Sequence, residues 1–361
     1  MKIGLIGLNQ TGKTTLFSLL TGKDESVSFS GGKGSASIGT GFVPDERVDF
    51  ISALYNPKKT TYAKIEFTDV AGFSVSGSGQ SSAASKFLSD VRHCDALIHV
   101  LRAFESGAVS HDLGSLDPVR DLEAVETEML FADLEMIEKR IARIKAGKKI
   151  AKEHEIEIEL LERCYAHLDE RGYIPDEKLS EQEITAIRSF SFLTEKPRLA
   201  VINLDESQWG SKSWHNRDAL QSLCTRLNIL LIELCIDMEL EISRLPEEDR
   251  HAFMEDMGIE RPGISALAMA VYAHLGLISF ITIGSDEVRA WTIEKGTVAK
   301  SAAGKVHTDM ERGFIRAEVV KYEDIRELGT MAKVKEKGLF RLEGKEYIVV
   351  DGDIIQFRFN V

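Results

Sequence analysis

Gly7-Leu8-Asn9-Gln10-Thr11-Gly12-Lys13-Thr14 follows the short apolar run Lys2-Ile3-Gly4-Leu5-Ile6, and its reading decides the fold. It fits the pattern G-x-x-x-x-G-K-[ST], with a strand expected before it and a helix after it. Gly7 and Gly12 let the backbone turn tightly and aim successive N–H groups at one point, which makes an anion nest. The helix beginning near Lys13 adds the positive end of its dipole to that point. Lys13 is then expected to reach the β- and γ-phosphates of a nucleoside triphosphate, and the Thr14 hydroxyl to ligate Mg2+. The nucleotide-binding residues expected from this loop are Asn9, Gln10, Thr11, Gly12, Lys13, Thr14 and Thr15.

The chain of 361 residues is long enough for two or three domains, and 43% hydrophobic with 29% charged residues is the composition of an ordinary globular protein. No run approaches the length of a membrane span, and Met1-Lys2 leads directly into the first strand, so no signal peptide is expected. Cys94, Cys164, Cys224 and Cys235 show neither metal-ligand spacing nor disulfide-scaffold density, so a cytoplasmic location is expected. The formal charge of −13 argues against a protein that coats nucleic acid nonspecifically, and sequence-specific DNA binding is not expected. A local RNA contact stays open.

Working outward, Lys64-Ile65-Glu66-Phe67-Thr68-Asp69-Val70-Ala71-Gly72 reads as a second strand ending in Asp-x-x-Gly. Asp69 at its carboxyl end is placed to hold Mg2+ through water, and the Gly72 N–H to bond a γ-phosphate oxygen. Many switch-type GTPases follow this glycine with a glutamine that orients the attacking water. Phe73 stands there and cannot do so. The glycine- and serine-rich stretches from Asp24 to Ser37 and from Ser74 to Ser85 fit two switch loops. Ser35, Ser37 and Thr40 are equivalent candidates for a metal ligand from the first.

Ala96 to Leu101, Arg198 to Asn203 and Asn228 to Ile232 are further apolar strands alternating with helical stretches. The expected fold class is therefore α/β, a doubly wound, mostly parallel P-loop sheet. Residues 119–190 break the pattern, with Leu130, Leu134, Ile137, Ile141 and Ile144, then Ile158, Leu161, Tyr165 and Leu168, at helical spacing. They predict a helical coiled-coil hairpin inserted into a nucleotide domain of residues 1–118 and 191–277. Asn203-Leu204-Asp205-Glu206 follows a strand where a base-reading segment belongs. A guanine-selective loop presents Asn-Lys-x-Asp; Leu204 and Glu206 depart from it, which leans the reading toward ATP. From residue 278 to 361 the pattern is strand-rich, an α+β domain, in which Lys333, Lys335, Lys337 and Arg341 cluster near Phe340.

The succession of P-loop, Asp-Val-Ala-Gly-Phe, helical insertion, Leu193-Thr194-Glu195-Lys196-Pro197, Asn-x-x-Glu and a C-terminal β domain resembles the YchF subfamily of Obg-related P-loop NTPases, the Obg-like ATPases. The C-terminal stretches Glu287-Val288-Arg289-Ala290-Trp291-Thr292-Ile293, His307 to Val319 and Arg341 to Tyr347 are similar to that family's TGS domain, a β-grasp-like fold, and its approach. The resemblance covers nearly the whole chain. It implies hydrolysis of ATP, sometimes GTP, with Mg2+, and association with the ribosome or ribosomal RNA. It also implies a hydrophobic residue in place of the catalytic glutamine, which Phe73 supplies, and a histidine after the third strand to replace it, which falls on His111. Asn203, Leu204 and Glu206, with Cys235 from a second segment, fall at the base-contacting positions. The chain departs from the family where the switch threonine falls on Lys33. It departs again at Gln10, where a potassium-linked asparagine is usual, so a potassium dependence is put in question. The second switch reads Ser76-Gly77-Ser78-Gly79-Gln80-Ser81-Ser82 and the second base segment Cys235-Ile236-Asp237. The leading expectation is a slow ATPase or GTPase acting as a switch; the competing one is a noncatalytic adaptor that binds nucleotide only to set its shape.

Overall fold

Lys2–Ile6 (β1) is a strand whose last four residues are buried, and Lys13–Thr21 (α1) follows it across the glycine-containing loop. The computed structural model describes residues 1–22, 37–73, 82–107, 111–147, 151–174 and 179–360. The chain continues through β2 (Ser37–Val43), α2 (Glu46–Tyr55), β3 (Lys59–Thr61), β4 (Ala63–Asp69), α3 (Ser82–Arg92) and β5 (Ala96–Arg102). Three helices come next, α4 (Pro118–Lys145), α5 (Lys152–Arg171) and α6 (Glu181–Phe190). After them run β6 (Arg198–Asn203), α7 (Glu206–Ser211), α8 (Arg217–Arg226), β7 (Leu230–Leu234), α9 (Ile236–Arg244) and α10 (Glu247–Asp256). The rest comprises α11 (Gly263–His274), β8 (Leu277–Ile283), β9 (Glu287–Glu294), α12 (Ala299–Val306), α13 (Thr308–Arg312), β10 (Phe314–Val320), α14 (Tyr322–Leu328), α15 (Met331–Glu336), β11 (Arg341–Glu343) and β12 (Ile354–Phe359). Among the described residues no helix is long and apolar enough to cross a membrane.

These elements form two units, Met1–Gly39 with Glu66–Met257, and Thr40–Ile65 with Gly258–Val361. In the first, β4-β1-β5-β6-β7 are parallel neighbours. Every residue of β5 is buried, as suits a strand covered on both faces. Because β1 lies between β4 and β5, the winding reverses at β1, and the phosphate-binding loop leaves the sheet at that reversal. This is where open α/β sheets bind ligands. The expected fold class is the observed one.

The insertion is less separate than the periodicity of residues 119–190 suggests. The first half of α4 belongs to the nucleotide core: Val125 and Met129 pack with Ile6, Phe73 and Phe87, and Leu122 with Leu101 and Ile202. Only from Leu134 onward does the hairpin have its own core, with Ile137, Leu160, Leu161 and Leu168. Asp117 caps α4 by accepting from the Val119 and Arg120 N–H groups, with Pro118 at the first turn, so the helix starts inside the nucleotide core. Across the hairpin Arg140 Nε donates to Glu157 Oε1 at 2.7 Å.

In the second unit the sheet order is β11-β10-β12-β8-β9-β3. β8 and β9 are antiparallel, as are β10 and β12, while β12 runs parallel to β8. Its core gathers Phe280, Ile293, Ala302, Val319, Ile355 and Phe357. Two features depart from an expected domain of 278–361. The unit starts at Gly258, and it takes in Thr40–Ile65, whose β3 pairs parallel with β9 from Lys59↔Glu287 to Thr61↔Arg289. Arg47 secures that excursion, donating to Asp45 and, at 2.9 and 3.2 Å, to both oxygens of Asp351. The basic cluster near Phe340 is partly spent internally: Arg341 donates to Tyr347 Oη and Glu343, and Lys335 lies 4.6 Å over the Phe340 ring.

Asp133 on α4 is fully buried and accepts from both the N–H and the hydroxyl of Thr194 at 2.9 Å, with Arg92 at 3.3 Å. Removing it takes the carboxylate from Arg92, which keeps the Ala132 and Ser191 carbonyls, and deprives the buried Thr194 donors of their acceptor. Asp133→Ala is expected to lower the stability of the nucleotide unit by about 3 kcal/mol, read as an earlier urea transition of the full chain; an unchanged midpoint would refute the clasp.

Candidate nucleotide site

The loop between β1 and α1 needs its two glycines for steric reasons. Gly7 has φ 140°, and a Cβ there would lie 2.4 Å from the Val100 carbonyl oxygen. Gly12 has φ 97°, and a Cβ would lie 2.7 Å from Asn203 Nδ2. The loop is thereby pressed against β5 and β6, with Thr11 buried and Asn9 and Gln10 exposed. Gln10 adopts φ 60°, which completes the turn. Thr15 is half-buried in the first turn of α1.

Lys13 is only 7% exposed and donates to the Leu8 carbonyl. Burial lowers its pKa to about 8, while the carboxylates of Asp69 and Asp112 act in the opposite direction. Thr14 Oγ1 donates to Asp69 Oδ2 at 2.9 Å, joining the two expected metal-side residues. Burial raises the Asp69 pKa, and the Thr14 bond and the Lys13 charge lower it. A hydroxyl and a desolvated carboxylate side by side fit a hard divalent cation, because Mg2+ takes one or two protein oxygens and completes its shell with phosphates and water. No cluster of three or more His, Cys, Asp or Glu side chains suited to a metal exists among the described residues, and such a site does not require one.

Gly72 sits hard against the loop: a Cβ there would fall 2.1 Å from Asn9 Oδ1. The next residue, Phe73, donates its N–H to the Gly7 carbonyl at 2.9 Å and buries its ring beside Phe87 at 5.3 Å between centroids. Phe73 thus packs and does not face the phosphate end. His111 has both ring nitrogens engaged. Nδ1 accepts from the Leu113 N–H at 3.1 Å, so Nε2 carries the proton and donates to Asp121 Oδ2 at 2.9 Å. Asp121 is 2% exposed and is also gripped by Arg120. Asp112, next to His111 and not singled out by the sequence pattern, meets the phosphate-binding loop, accepting from Asn9 Nδ2 at 2.7 Å.

The base-reading segment divides its labour. Asn203 is buried; its Nδ2 donates to the Thr11 carbonyl at 3.2 Å and its Oδ1 accepts from the Ile236 N–H at 3.1 Å. One amide therefore ties the phosphate-binding loop, β6 and the start of α9 together. Leu204 is buried with its N–H on the Leu234 carbonyl. Asp205 caps α7 by accepting from the Gln208 N–H at 2.8 Å, leaving the Glu206 side chain exposed on the first helical turn. Cys235 is buried at the cap of α9, and burial pushes its thiol pKa up. Of the switch-loop candidates, Ser35 and Lys33 lie outside the described residues, as does most of the second switch, residues 74–81. Ser37 opens β2 in the first unit, and Thr40 belongs to the second.

Behind Gly7 lies His99, buried on β5; among the described residues neither ring nitrogen has a partner, and burial with the Lys13 and Arg198 charges lowers its pKa to about 3. It stays neutral, adding no charge beneath the loop.

The Lys13 environment makes stability depend on pH. Between about 8 and 10.5 the unfolded lysine holds its proton and the folded one has lost it, so folding is favoured as pH rises through that window. Below it the full cost of burying the charge is present. Lys13→Met is expected to stabilise the nucleotide-free protein at pH 7 by on the order of 2 kcal/mol, with a smaller gain near pH 10. Urea unfolding of both proteins at the two pH values checks this; an equal effect at both would count against it.

The family model described as "50S ribosome-binding GTPase" matches residues 2–139, and the model YchF-GTPase_C, described as a "Protein of unknown function", matches residues 277–360. The Bacillus subtilis protein named "Ribosome-binding ATPase YchF" is 39% identical over 361 residues, covering 99% of each chain. Its namesake from Haemophilus influenzae is 37% identical over 362 residues, covering 100% of this chain and 99% of the relative. The solved structure of the Schizosaccharomyces pombe YchF GTPase superposes with a TM-score of 0.85 at 28% identity, over 99% of this chain and 97% of that one. With a P-loop at the sheet's winding reversal, Asp69 and Gly72 beside it, and similarity running from end to end, the chain belongs to the YchF family of P-loop NTPases.

Proposed function

We propose that this protein is a nucleotide-dependent switch that hydrolyses ATP with Mg2+, GTP being the competing substrate, and acts on a ribosomal partner in the cytoplasm. The observation that carries the reading is the convergence of Lys13, the Thr14–Asp69 pair and Gly72 on one end of β1 and β4. The relatives' names, ribosome-binding ATPase, support the choice of partner and of ATP.

In this reading the loop amides and the Lys13 ammonium hold the β- and γ-phosphates, and their fixed positive charge stabilises the transferring phosphoryl group. Thr14 and Asp69 would hold Mg2+, which neutralises charge on the phosphate oxygens when bound. Gly72 offers its N–H to the γ-phosphate. His111 is the candidate for orienting the attacking water once it leaves Asp121. Asn203 serves the base site by holding its walls, and Leu204, Glu206 and Cys235 surround the base. Since the position of guanine's usual carboxylate partner is taken by the longer Glu206, ATP is the preferred substrate.

The noncatalytic adaptor remains the second reading, favoured by one observation: both His111 nitrogens are already bonded. Phosphate release from Mg-ATP and Mg-GTP, with Lys13→Ala as the blank, separates the two. The expected result is slow release, faster with ATP, and abolished in the blank; release equal to the blank supports the adaptor. His111→Ala is expected to lower turnover by about 10- to 100-fold with ATP affinity unchanged, and unaltered turnover would remove His111 from the mechanism.

A further inference from the structure

Asn9, Gly72 and Asp112 form a contact that neither the phosphate-binding motif nor the metal pair requires. Asn9 Oδ1 lies 2.1 Å from where a Cβ on Gly72 would stand, and Asn9 Nδ2 donates to Asp112 Oδ2 at 2.7 Å. The amide therefore bridges the glycine assigned to the γ-phosphate and a carboxylate from the loop after β5. Asp112 is close enough to raise the Lys13 pKa, as Asp69 does. Asp69 has Thr14 beside it and a metal role to account for it. Asp112 has neither, and it is exposed. Lys13 thus shares its field between two carboxylates before any phosphate arrives, and one of them is anchored at the γ-phosphate end.

We infer that Asp112, held by Asn9, sets the balance between nucleoside diphosphate and triphosphate by placing a fixed negative charge beside the γ-phosphate position. The inference rests on the P-loop reading given above and deepens it. A diphosphate ends short of Asn9 and Gly72 and meets little of this charge. A triphosphate brings its terminal oxygens toward it and must overcome the repulsion with Lys13, the loop amides and Mg2+. Like charges placed together across a contact reduce affinity without disturbing the fold. The consequence is a protein that keeps its diphosphate form longer than its phosphate-binding loop alone would dictate.

Asp112→Asn isolates the charge, because the new amide oxygen can still accept from Asn9. Asp112→Glu keeps the charge, and Asp112→Ala drops charge and tether together. Calorimetric titration of the full chain with Mg-ADP and Mg-ATP, at low and at high salt, reads the ratio of the two affinities. In Asp112→Asn and Asp112→Ala the ratio is expected to shift toward ATP by about 3- to 10-fold at low salt and by less at high salt, since an exposed charge is screened. Asp112→Glu is expected to stay near the wild type. A ratio unchanged in Asp112→Asn, or ADP and ATP tightened equally, would overturn the inference while leaving the phosphate-binding site intact. Absence of binding of both nucleotides to the wild type would instead overturn the P-loop reading itself, and this inference with it.

Discussion

A lysine ammonium buried at the positive end of a helix is the constraint around which the nucleotide unit is built. Desolvation and the dipole of α1 both work against the charge on Lys13, and the Leu8 carbonyl with the Asp69 and Asp112 carboxylates offsets them only in part. The neighbouring packing keeps the side chain from escaping to water. Gly7 lies under the Val100 carbonyl and Gly12 against Asn203, so the loop cannot lift without breaking contacts to two strands. The site thus stores an unmet demand for negative charge, which an anion entering the nest relieves. Preorganisation of this kind means that little reorganisation is needed when charge develops on a transferring group.

Asn203 shows how one side chain ties distant segments of the nucleotide unit together. Its amide donates to the phosphate-binding loop and accepts from the first residue of α9. Because both halves of the amide are occupied, its role lies in holding the wall rather than reading the base. In the proposed base site the choice between purines would fall on Leu204, Glu206 and Cys235, of which Glu206 is exposed and the other two are buried. The phosphate-binding loop and the proposed base site would in this way be mechanically joined at β6, although they lie far apart in sequence.

What the sequence made legible was local. The P-loop, Asp69-x-x-Gly72, the buried strands and the seam of α4 and α5 are spacing patterns, and each is fixed by neighbours within a few residues. The excursion Thr40–Ile65 was not legible, because Lys59 to Thr61 become a strand only by pairing with residues more than two hundred positions away. Nor was the shared ownership of α4: Leu122, Val125 and Met129 continue the same helical period as Leu134 and Ile137, yet they face a different core. Asp112 stayed hidden for the opposite reason, being an exposed polar loop residue whose meaning depends entirely on where Asn9 reaches. Arg341 looked like part of a basic patch, and its partners Tyr347 and Glu343 are seen only once the turn between them is built.

Two adjacent residues after β5 are fastened to opposite sides, and this bears on how quickly the site can act. Asp112 is tied to Asn9 in the phosphate-binding loop, while His111 is tied to Asp121 on α4, which Arg120 clamps from the other oxygen. Swinging the His111 ring toward the phosphates gives up a hydrogen bond to a buried carboxylate, at a cost of about 1.5–3 kcal/mol, and it does so beside a peptide already anchored at Asp112. A water-orienting histidine that is absent from its working position for most of the time slows hydrolysis by the fraction of time it is away. If His111 orients the attacking water as proposed, the latch itself would keep turnover slow, and drawing Asp121 aside on α4 would speed the reaction without touching the nucleotide.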